Sequence, residues 1–136
     1  MRPAAFAYVR AEGVAHALAL LAEHGEEARP LAGGQSLVPM MNLRLARPEV
    51  LVDIDRLPLD RLEIAGGALR IGALVRHARL LADAAVAAPI VAEAVAEIAH
   101  PVIRNRGTAG GSVAHADPTA ELALLLVLLD GTVLAR

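Results

Sequence analysis

Arg104-Asn105-Arg106-Gly107-Thr108-Ala109-Gly110-Gly111-Ser112 is the stretch that decides the fold of this chain. It leads into His115-Ala116-Asp117-Pro118 and then into a long apolar run. Three glycines, two hydroxyl residues and two arginines lie within nine residues of a sequence otherwise rich in alanine and leucine. A second segment of this kind precedes it, Leu31-Ala32-Gly33-Gly34-Gln35-Ser36. Both segments indicate places where the main chain must not be covered by side chains.

A strand followed by Gly-Gly and a hydroxyl residue is suited to bind a phosphate. Glycine permits positive φ and lets amide N–H groups approach an anion without an intervening side chain. Residues 32–36 and 108–112 could therefore hold one diphosphate from two sides. The alternative is that both are tight turns, as we expect for Gly66-Gly67. Neither segment matches the G-x-x-x-x-G-K-[ST] or G-x-G-x-x-G pattern, which disfavours a nucleoside-triphosphate hydrolase and an ordinary dinucleotide-binding fold.

Composition narrows the class of protein. A chain of 136 residues fits one domain, or part of a larger one, and can bury a core. Its hydrophobic fraction is 56%, yet Phe6 and Tyr8 are the only aromatic residues, so the core must consist of Leu, Val, Ile and Ala. Few stacking side chains and a formal charge of -2 argue against a nucleic-acid partner. All 13 basic residues are arginine, which we attribute to genomic base composition.

Several kinds of site and location are disfavoured. The chain has no cysteine, which excludes disulfides, thiolate metal sites, a cysteine nucleophile and iron-sulfur ligation by this chain. Its histidines show no metal-ligand spacing, so no metal site is predicted. The first six residues lack the apolar run of a signal peptide, which makes the cytoplasm the default location. The longest apolar run, Leu122 to Leu129, is far shorter than the roughly 20 residues of a membrane span. We expect no membrane insertion.

The pattern of apolar residues predicts an α+β chain. In its first part we expect strands over residues 6–9, 29–32 and 50–54, a helix over 12–24 that Gly25 ends, and a loop with a short helical turn over 36–45. In its second part we expect a hairpin over 62–71, helices over 75–81, 90–100 and 118–129, and a strand over 132–135. A weak change in composition between Asp55 and Asp60 divides the two parts.

Two longer segments carry a resemblance. Residues 32–46, AGGQSLVPMMNLRLA, and residues 103–118, IRNRGTAGGSVAHADP, resemble the two FAD-binding motifs of the flavin subunits of molybdenum hydroxylases. These are the medium subunits of carbon monoxide dehydrogenase and of bacterial xanthine dehydrogenase-like enzymes. Residues 6–10 and 51–54 are similar to that family as well. The resemblance runs through essentially the whole chain.

The resemblance implies a fold. It is the vanillyl-alcohol oxidase, or PCMH-type, FAD-binding fold: a small α/β subdomain and a larger α+β subdomain with FAD between them. Residues 1–57 would form the first subdomain and residues 58–136 the second, truncated at its C-terminal side. Because the family's flavin subunit is considerably longer, we expect this chain to hold the diphosphate half of the site and to bind FAD weakly on its own.

The resemblance also implies the cofactor-binding residues. Both glycine segments would contact the FAD diphosphate, mostly through main-chain amides. Glu121 stands where the family often carries Asp against the ribityl or ribose region, and Gln35 stands where His is common. The implied contacts are Ala32, Gly33, Gly34, Gln35, Ser36, Thr108, Ala109, Gly110, Gly111, Ser112 and Glu121.

The implied function is electron transfer. Substrate would be oxidised at a molybdenum cofactor in a large subunit, electrons would pass through the 2Fe-2S clusters of a small subunit, and FAD would deliver them to NAD or another acceptor. This chain would then contain no catalytic residue.

Two alternatives stay open. One is another flavin enzyme of the same fold, such as a reductase resembling the cell-wall enolpyruvyl-sugar reductases. The other is a non-catalytic interaction module in which the glycine segments are turns.

A few residues have more than one interpretation. Arg104 and Arg106 could neutralise a diphosphate or be solvated charges. His115 and Asp117 could be a base and its orienting carboxylate, although we favour Asp117 as the cap of a helix beginning at Pro118. Met40 and Met41 are expected to fill gaps in the core, with a flavin-facing wall as the alternative. The other four histidines, His16, His24, His77 and His100, are expected at the surface or at helix ends.

Overall fold

The fold comes from a computed structural model that describes residues 2–135. The chain divides between Pro58 and Leu59 into two compact units, and each contains both helices and strands. Among the helices of residues 2–135, none combines the length and apolar character needed to cross a bilayer.

The first unit is built on a three-stranded parallel sheet with the order β1-β3-β2. The central strand, Val50–Asp53, is buried along its whole length, as expected for a parallel strand covered on both faces. The edge strand β2 accommodates Pro30, which has no N–H to donate, because one of its sides has no neighbour. The elements are β1 (Ala7–Arg10), α1 (Val14–His24), a 3-10 turn (Gly25–Glu27), β2 (Ala28–Leu31), α2 (Leu37–Asn42) and β3 (Val50–Asp53).

The core of the first unit lies around β3. Val52 is completely buried, and Leu51 is 2% exposed. Helix α1 packs on β2 and β3 and contributes the buried Ala17. Met41 of α2 is 3% exposed, which agrees with its expected role as a core residue.

The second unit consists of one hairpin and five helices in the described part of the chain. In the hairpin turn, Gly66 and Gly67 have φ of 59° and 76°, the combination that a tight primed turn requires, so the predicted hairpin is confirmed. The elements are β4 (Leu62–Ala65), β5 (Ala68–Ile71), α3 (His77–Ala87), α4 (Pro89–Glu97), α5 (Pro101–Arg104), α6 (Ala109–His115) and α7 (Glu121–Leu128).

The core of the second unit lies among its helices. Leu80 of α3 and Val95 of α4 are completely buried, as is Val75 just before α3. Helix α7 packs against α4 and α6 and contributes Leu122 and Leu125 to this cluster.

Several predictions differ from the structure. The segment Thr108 to Ser112 is not a tight turn, because α6 begins at Ala109. The predicted last helix is confirmed, but it begins at Glu121 and not at Pro118, which lies in a preceding turn. Residues 132–135 form no strand, although their sequence favours one, because they have no strand partner in the described chain. Helix α3 is also longer than predicted and continues to Ala87.

Burial within α3 predicts a stability difference. Leu80→Ala should lower the free energy of unfolding by about 2–5 kcal/mol, because it leaves a cavity in the core. Val86→Ala on the same helix should change it by less than about 0.5 kcal/mol, since Val86 is 92% exposed. Urea unfolding of both variants measures the difference. Equal losses would contradict the packing described for α3.

Candidate functional site

The first glycine segment leaves the sheet at its carboxyl edge. It follows β2, and the N–H of Ile54 donates to the carbonyl of Leu31 at 3.0 Å, which fixes the point of departure. Gly34 has a φ of 73°, in the left-handed region that favours glycine. The carboxyl edge of a parallel sheet is where ligands of α/β folds bind. The first glycine segment therefore lies at the edge of the sheet where a ligand is expected.

The main-chain N–H groups of residues 32–36 are unpaired. Among residues 2–135 none of them donates to a hydrogen-bond acceptor. The carbonyls of Gly34 and Ser36, in contrast, accept from Val38 and Met40 at the start of α2, at 3.0 and 3.2 Å. The Gln35 side chain bonds within the segment, with Nε2 donating to the carbonyl of Gly33 at 3.1 Å. A run of unpaired donors beside a positive-φ glycine fits an anion.

The second glycine segment has the opposite hydrogen-bonding state. The N–H groups of Ala109 and Gly110 donate to the carbonyls of Val75 and Ala73, at 2.9 and 2.8 Å. Thr108 caps α6, because its Oγ1 accepts from the N–H of Gly111 at 3.2 Å and its carbonyl accepts from Ser112 at 3.0 Å. The first-turn amides are thus occupied within the chain.

Close packing explains the glycines of this second segment. A Cβ added to Gly110 would lie 2.6 Å from the Cβ of Ala73 and 2.8 Å from its carbonyl oxygen. One added to Gly107 would lie 2.8 Å from Nδ1 of His77, and one added to Gly111 would lie 2.7 Å from Oγ1 of Thr108. None of the three glycines has a positive φ. Gly107 and Gly110 are needed because residues 73–77 run directly against residues 107–110, and Gly111 is needed because it lies against the capping Thr108 side chain.

Some polar groups near the second segment have no partner in the described chain. The Ser112 hydroxyl is half-buried, and the Arg106 guanidinium is exposed. Neither side chain forms a hydrogen bond or ion pair within residues 2–135. Glu121 is the first residue of α7, which packs against α6, and its carboxylate is also unpaired there. These three side chains are the unpaired polar groups near the second segment.

The two arginines have different roles. Nη1 of Arg104 donates to the carbonyls of Ala96, Ile98 and Ala99, at 2.9, 2.8 and 3.1 Å. Arg104 therefore closes the C-terminal end of α4, so neither interpretation offered from the sequence describes it. Arg106 uses its carbonyl as an acceptor for the Arg76 guanidinium and leaves its own guanidinium exposed.

Asp117 makes a local turn ahead of α7. Its Oδ1 accepts from the N–H and hydroxyl of Thr119, at 2.8 and 2.7 Å, and these hydrogen bonds hold the pKa of Asp117 below its ordinary value. The N-cap position of α7 is Ala120, so the predicted capping of a helix at Pro118 is wrong. His115 and Asp117 are both exposed and form no hydrogen bond with each other.

Sequence reasoning missed a buried network in the first unit. Asp53, 5% exposed, accepts hydrogen bonds from the Tyr8 hydroxyl, from Nε of Arg10 at 3.0 Å and from the N–H of Asp55 at 2.9 Å. Burial raises the pKa of Asp53, but these donors together outweigh it and hold the pKa below its usual value. The network ties the ends of β1 and β3 together. Asp53, the one acidic residue in an otherwise apolar predicted strand, was the sequence feature that could have indicated this network.

Sequence reasoning also placed His77 at the surface or a helix end. It is the first residue of α3, but it is only 5% exposed. Within residues 2–135, no cluster of three or more histidine or carboxylate side chains is arranged to hold a metal ion.

Comparison with known proteins identifies the family. The sequence profile of the FAD binding domain in molybdopterin dehydrogenase matches residues 4–136. The chain belongs to this family. The resemblance drawn from the two glycine motifs is therefore confirmed, and FAD is the cofactor that the family binds.

Relatives of this domain are subunits of larger enzymes. The chain is 52% identical to the 6-hydroxypseudooxynicotine dehydrogenase complex subunit alpha of Paenarthrobacter nicotinovorans, over 100% of this chain and 47% of that protein. It is 46% identical to the carbon monoxide dehydrogenase medium chain of Hydrogenophaga pseudoflava, over 87% of this chain and 42% of the relative. The chain thus spans about half the length of the relatives it matches.

Solved structures share the fold. A crystal structure of the Cu,Mo-CO dehydrogenase in its cyanide-inactivated form matches with a TM-score of 0.89 and 42% identity, over 93% of this chain and 46% of the other. Quinoline 2-oxidoreductase from Pseudomonas putida 86 matches with a TM-score of 0.87 and 40% identity, over 93% and 45% of the two chains. The mixed α and β architecture is therefore that of a molybdenum-hydroxylase medium subunit.

The packing of Gly110 predicts a loss of stability. Alanine would gain about 1 kcal/mol of helix propensity over glycine. Its methyl group would collide with main-chain atoms of Ala73, and overpacking costs about 1–3 kcal/mol. We expect Gly110→Ala to be less stable than wild type, and Ser112→Ala, on the same helix without a collision, to change stability by less than about 0.5 kcal/mol. Urea unfolding tests this; a Gly110→Ala protein as stable as wild type would contradict the close approach.

Proposed function

We propose that this chain is the FAD-binding part of the flavin subunit of a molybdenum-containing hydroxylase or dehydrogenase. The full-length protein would receive electrons from iron-sulfur clusters and pass them through FAD to NAD or another acceptor. Its partners would be a large subunit with the molybdenum cofactor and a small 2Fe-2S subunit. Family membership and the relatives named as a complex subunit alpha and a medium chain support this proposal.

The open amides of residues 32–36 carry the assignment of the cofactor contact. A diphosphate presents oxygen acceptors with negative charge, and unpaired main-chain N–H groups satisfy them without a basic side chain. Gly34 keeps this part of the chain in a left-handed conformation. We therefore assign the FAD diphosphate to Ala32, Gly33, Gly34, Gln35 and Ser36.

The second segment would contribute differently from the first. The amides of residues 109–112 are occupied within the chain, which leaves the Ser112 hydroxyl and the bare surface of the exposed Gly111 for close contact. Glu121 supplies a carboxylate that can accept from a ribose or ribityl hydroxyl. On this basis we assign FAD contacts to Gly111, Ser112 and Glu121. Thr108, Ala109 and Gly110 are implied as contacts by the resemblance alone, since the Thr108 hydroxyl oxygen and the other two amides are bonded within the chain.

Family membership and the similarity to solved molybdenum-hydroxylase structures support a finer fold assignment. We propose that the chain has the PCMH-type fold, with residues 1–57 as its first FAD-binding subdomain and residues 58–136 as part of the second. Bound FAD would carry the redox chemistry. The protein's own contribution is to bind the diphosphate and to orient the cofactor, and it places no nucleophile or general base in the reaction.

Two glycines with nearly the same φ provide the test. Gly34→Ala and Gly67→Ala each force alanine into the left-handed region, at φ of 73° and 76°, which costs about 1–2 kcal/mol. At Gly34 the new Cβ would also lie 3.3 Å from side-chain atoms of Leu31 and Val38, whereas Gly67 has open space, so Gly34→Ala should lose somewhat more stability. In the full-length protein, we expect Gly34→Ala to weaken FAD binding at least about tenfold, because it moves the open amides. Gly67→Ala lies in the hairpin turn and should bind FAD as wild type does.

Titration of the apoproteins with FAD, followed by flavin fluorescence, measures both affinities. Equal affinities for the two variants would show that residues 32–36 do not hold the diphosphate.

A further inference from the structure

His77 is a buried titratable group that the proposed cofactor contacts do not use. It begins α3 and is 5% exposed. Neither ring nitrogen, Nδ1 or Nε2, has a hydrogen-bond partner among the described residues. Buried polar atoms are nearly always paired, so a buried imidazole with no hydrogen-bond partner calls for an explanation.

The surroundings of the ring disfavour its protonated form. Burial lowers the pKa of His77 below its ordinary value of 6.5, and Arg104 acts in the same direction. The Thr108 main chain and the Glu121 carboxylate oppose this shift but do not overcome it. Arg104 and Glu121 are the charged groups that face the ring, from α5 and α7. Protonation would place a cation near Arg104, at a buried site where neither ring nitrogen has a hydrogen-bond partner among the described residues.

His77 is directly attached to the second glycine segment. Its main-chain N–H donates to the carbonyl of Gly107 at 3.0 Å. Its ring lies so close to Gly107 that a Cβ there would be 2.8 Å from Nδ1 and 2.9 Å from Cε1. Next to this contact, Arg76 and Thr108 form an antiparallel bridge, and Thr108 caps α6. A shift of the ring therefore acts directly on Gly107 and on the start of the segment.

We propose that His77 is a positioning residue for Thr108–Ser112. The uncharged ring packs against Gly107 and keeps it in place, and protonation of the ring displaces the segment and weakens FAD binding. The inference rests on the proposed FAD function. The sign follows from proton linkage, because the conformation that binds FAD holds fewer protons than the displaced one. Affinity should therefore be full above the ordinary histidine pKa and decline as the pH falls below it.

FAD affinity at two pH values tests this in the full-length protein. From about pH 7.5 to about pH 5.5, we expect the wild-type dissociation constant to rise at least about threefold. His77→Phe keeps a flat ring of similar size but cannot be protonated, so the ratio of the two constants should fall to near one. His115→Asn is the matched control, since it removes an exposed histidine of α6, and it should keep the wild-type ratio.

A second readout needs neither a variant nor FAD. In the wild-type apoprotein, hydrogen-exchange protection of the Ala109 and Gly110 amides should fall at the acidic pH, because the hydrogen bonds of both to residues 73–75 depend on the same contact.

Three results would overturn the inference. They are a wild-type affinity that does not change with pH, a His77→Phe protein with the wild-type ratio, and amide protection that stays constant. Absence of FAD binding at both pH values would overturn the proposed function and this inference with it. Binding without the pH effect would overturn the inference alone.

Discussion

The second unit depends on how closely residues 73–77 approach residues 107–110. Three main-chain hydrogen bonds join the segments: from Ala109 to Val75, from Gly110 to Ala73 and from His77 to Gly107, at 2.9, 2.8 and 3.0 Å. At this separation a side chain on Gly110 would meet main-chain atoms, and one on Gly107 would meet the His77 ring. Only glycine avoids both collisions. The start of α6 and the cap by Thr108 are consequences of this contact.

The two glycine segments differ in their hydrogen bonding. In the second, the N–H groups of residues 109–112 all donate to acceptors within the chain, so the segment needs no ligand to complete its hydrogen bonding. In the first, the N–H groups of residues 32–36 have no acceptor in the described chain, and Gly34 is left-handed. Binding a diphosphate would complete the hydrogen bonding of the first segment. Segments of similar composition therefore differ in what they leave unpaired within the described chain.

Much of the fold could be predicted from local patterns. The buried strand at Val50–Asp53 and the turn at Gly66-Gly67 depend on their own residues, and both were found. What failed depends on distant partners. The packing of Gly110 requires Ala73, and the burial of His77 requires Gly107. Residues 132–135 have strand-forming side chains but no strand partner in the described chain. The family motifs named the candidate FAD contacts, but not which amides are open.

Residue-resolved hydrogen exchange in the full-length protein, with and without FAD, tests the central claim most directly. The account predicts that the amides of residues 33–36 exchange rapidly in the apoprotein and become protected when FAD binds. The amides of Ala109 and Gly110 should already be protected without FAD, because both have acceptors within the chain. FAD binding that leaves residues 33–36 unprotected would contradict the account.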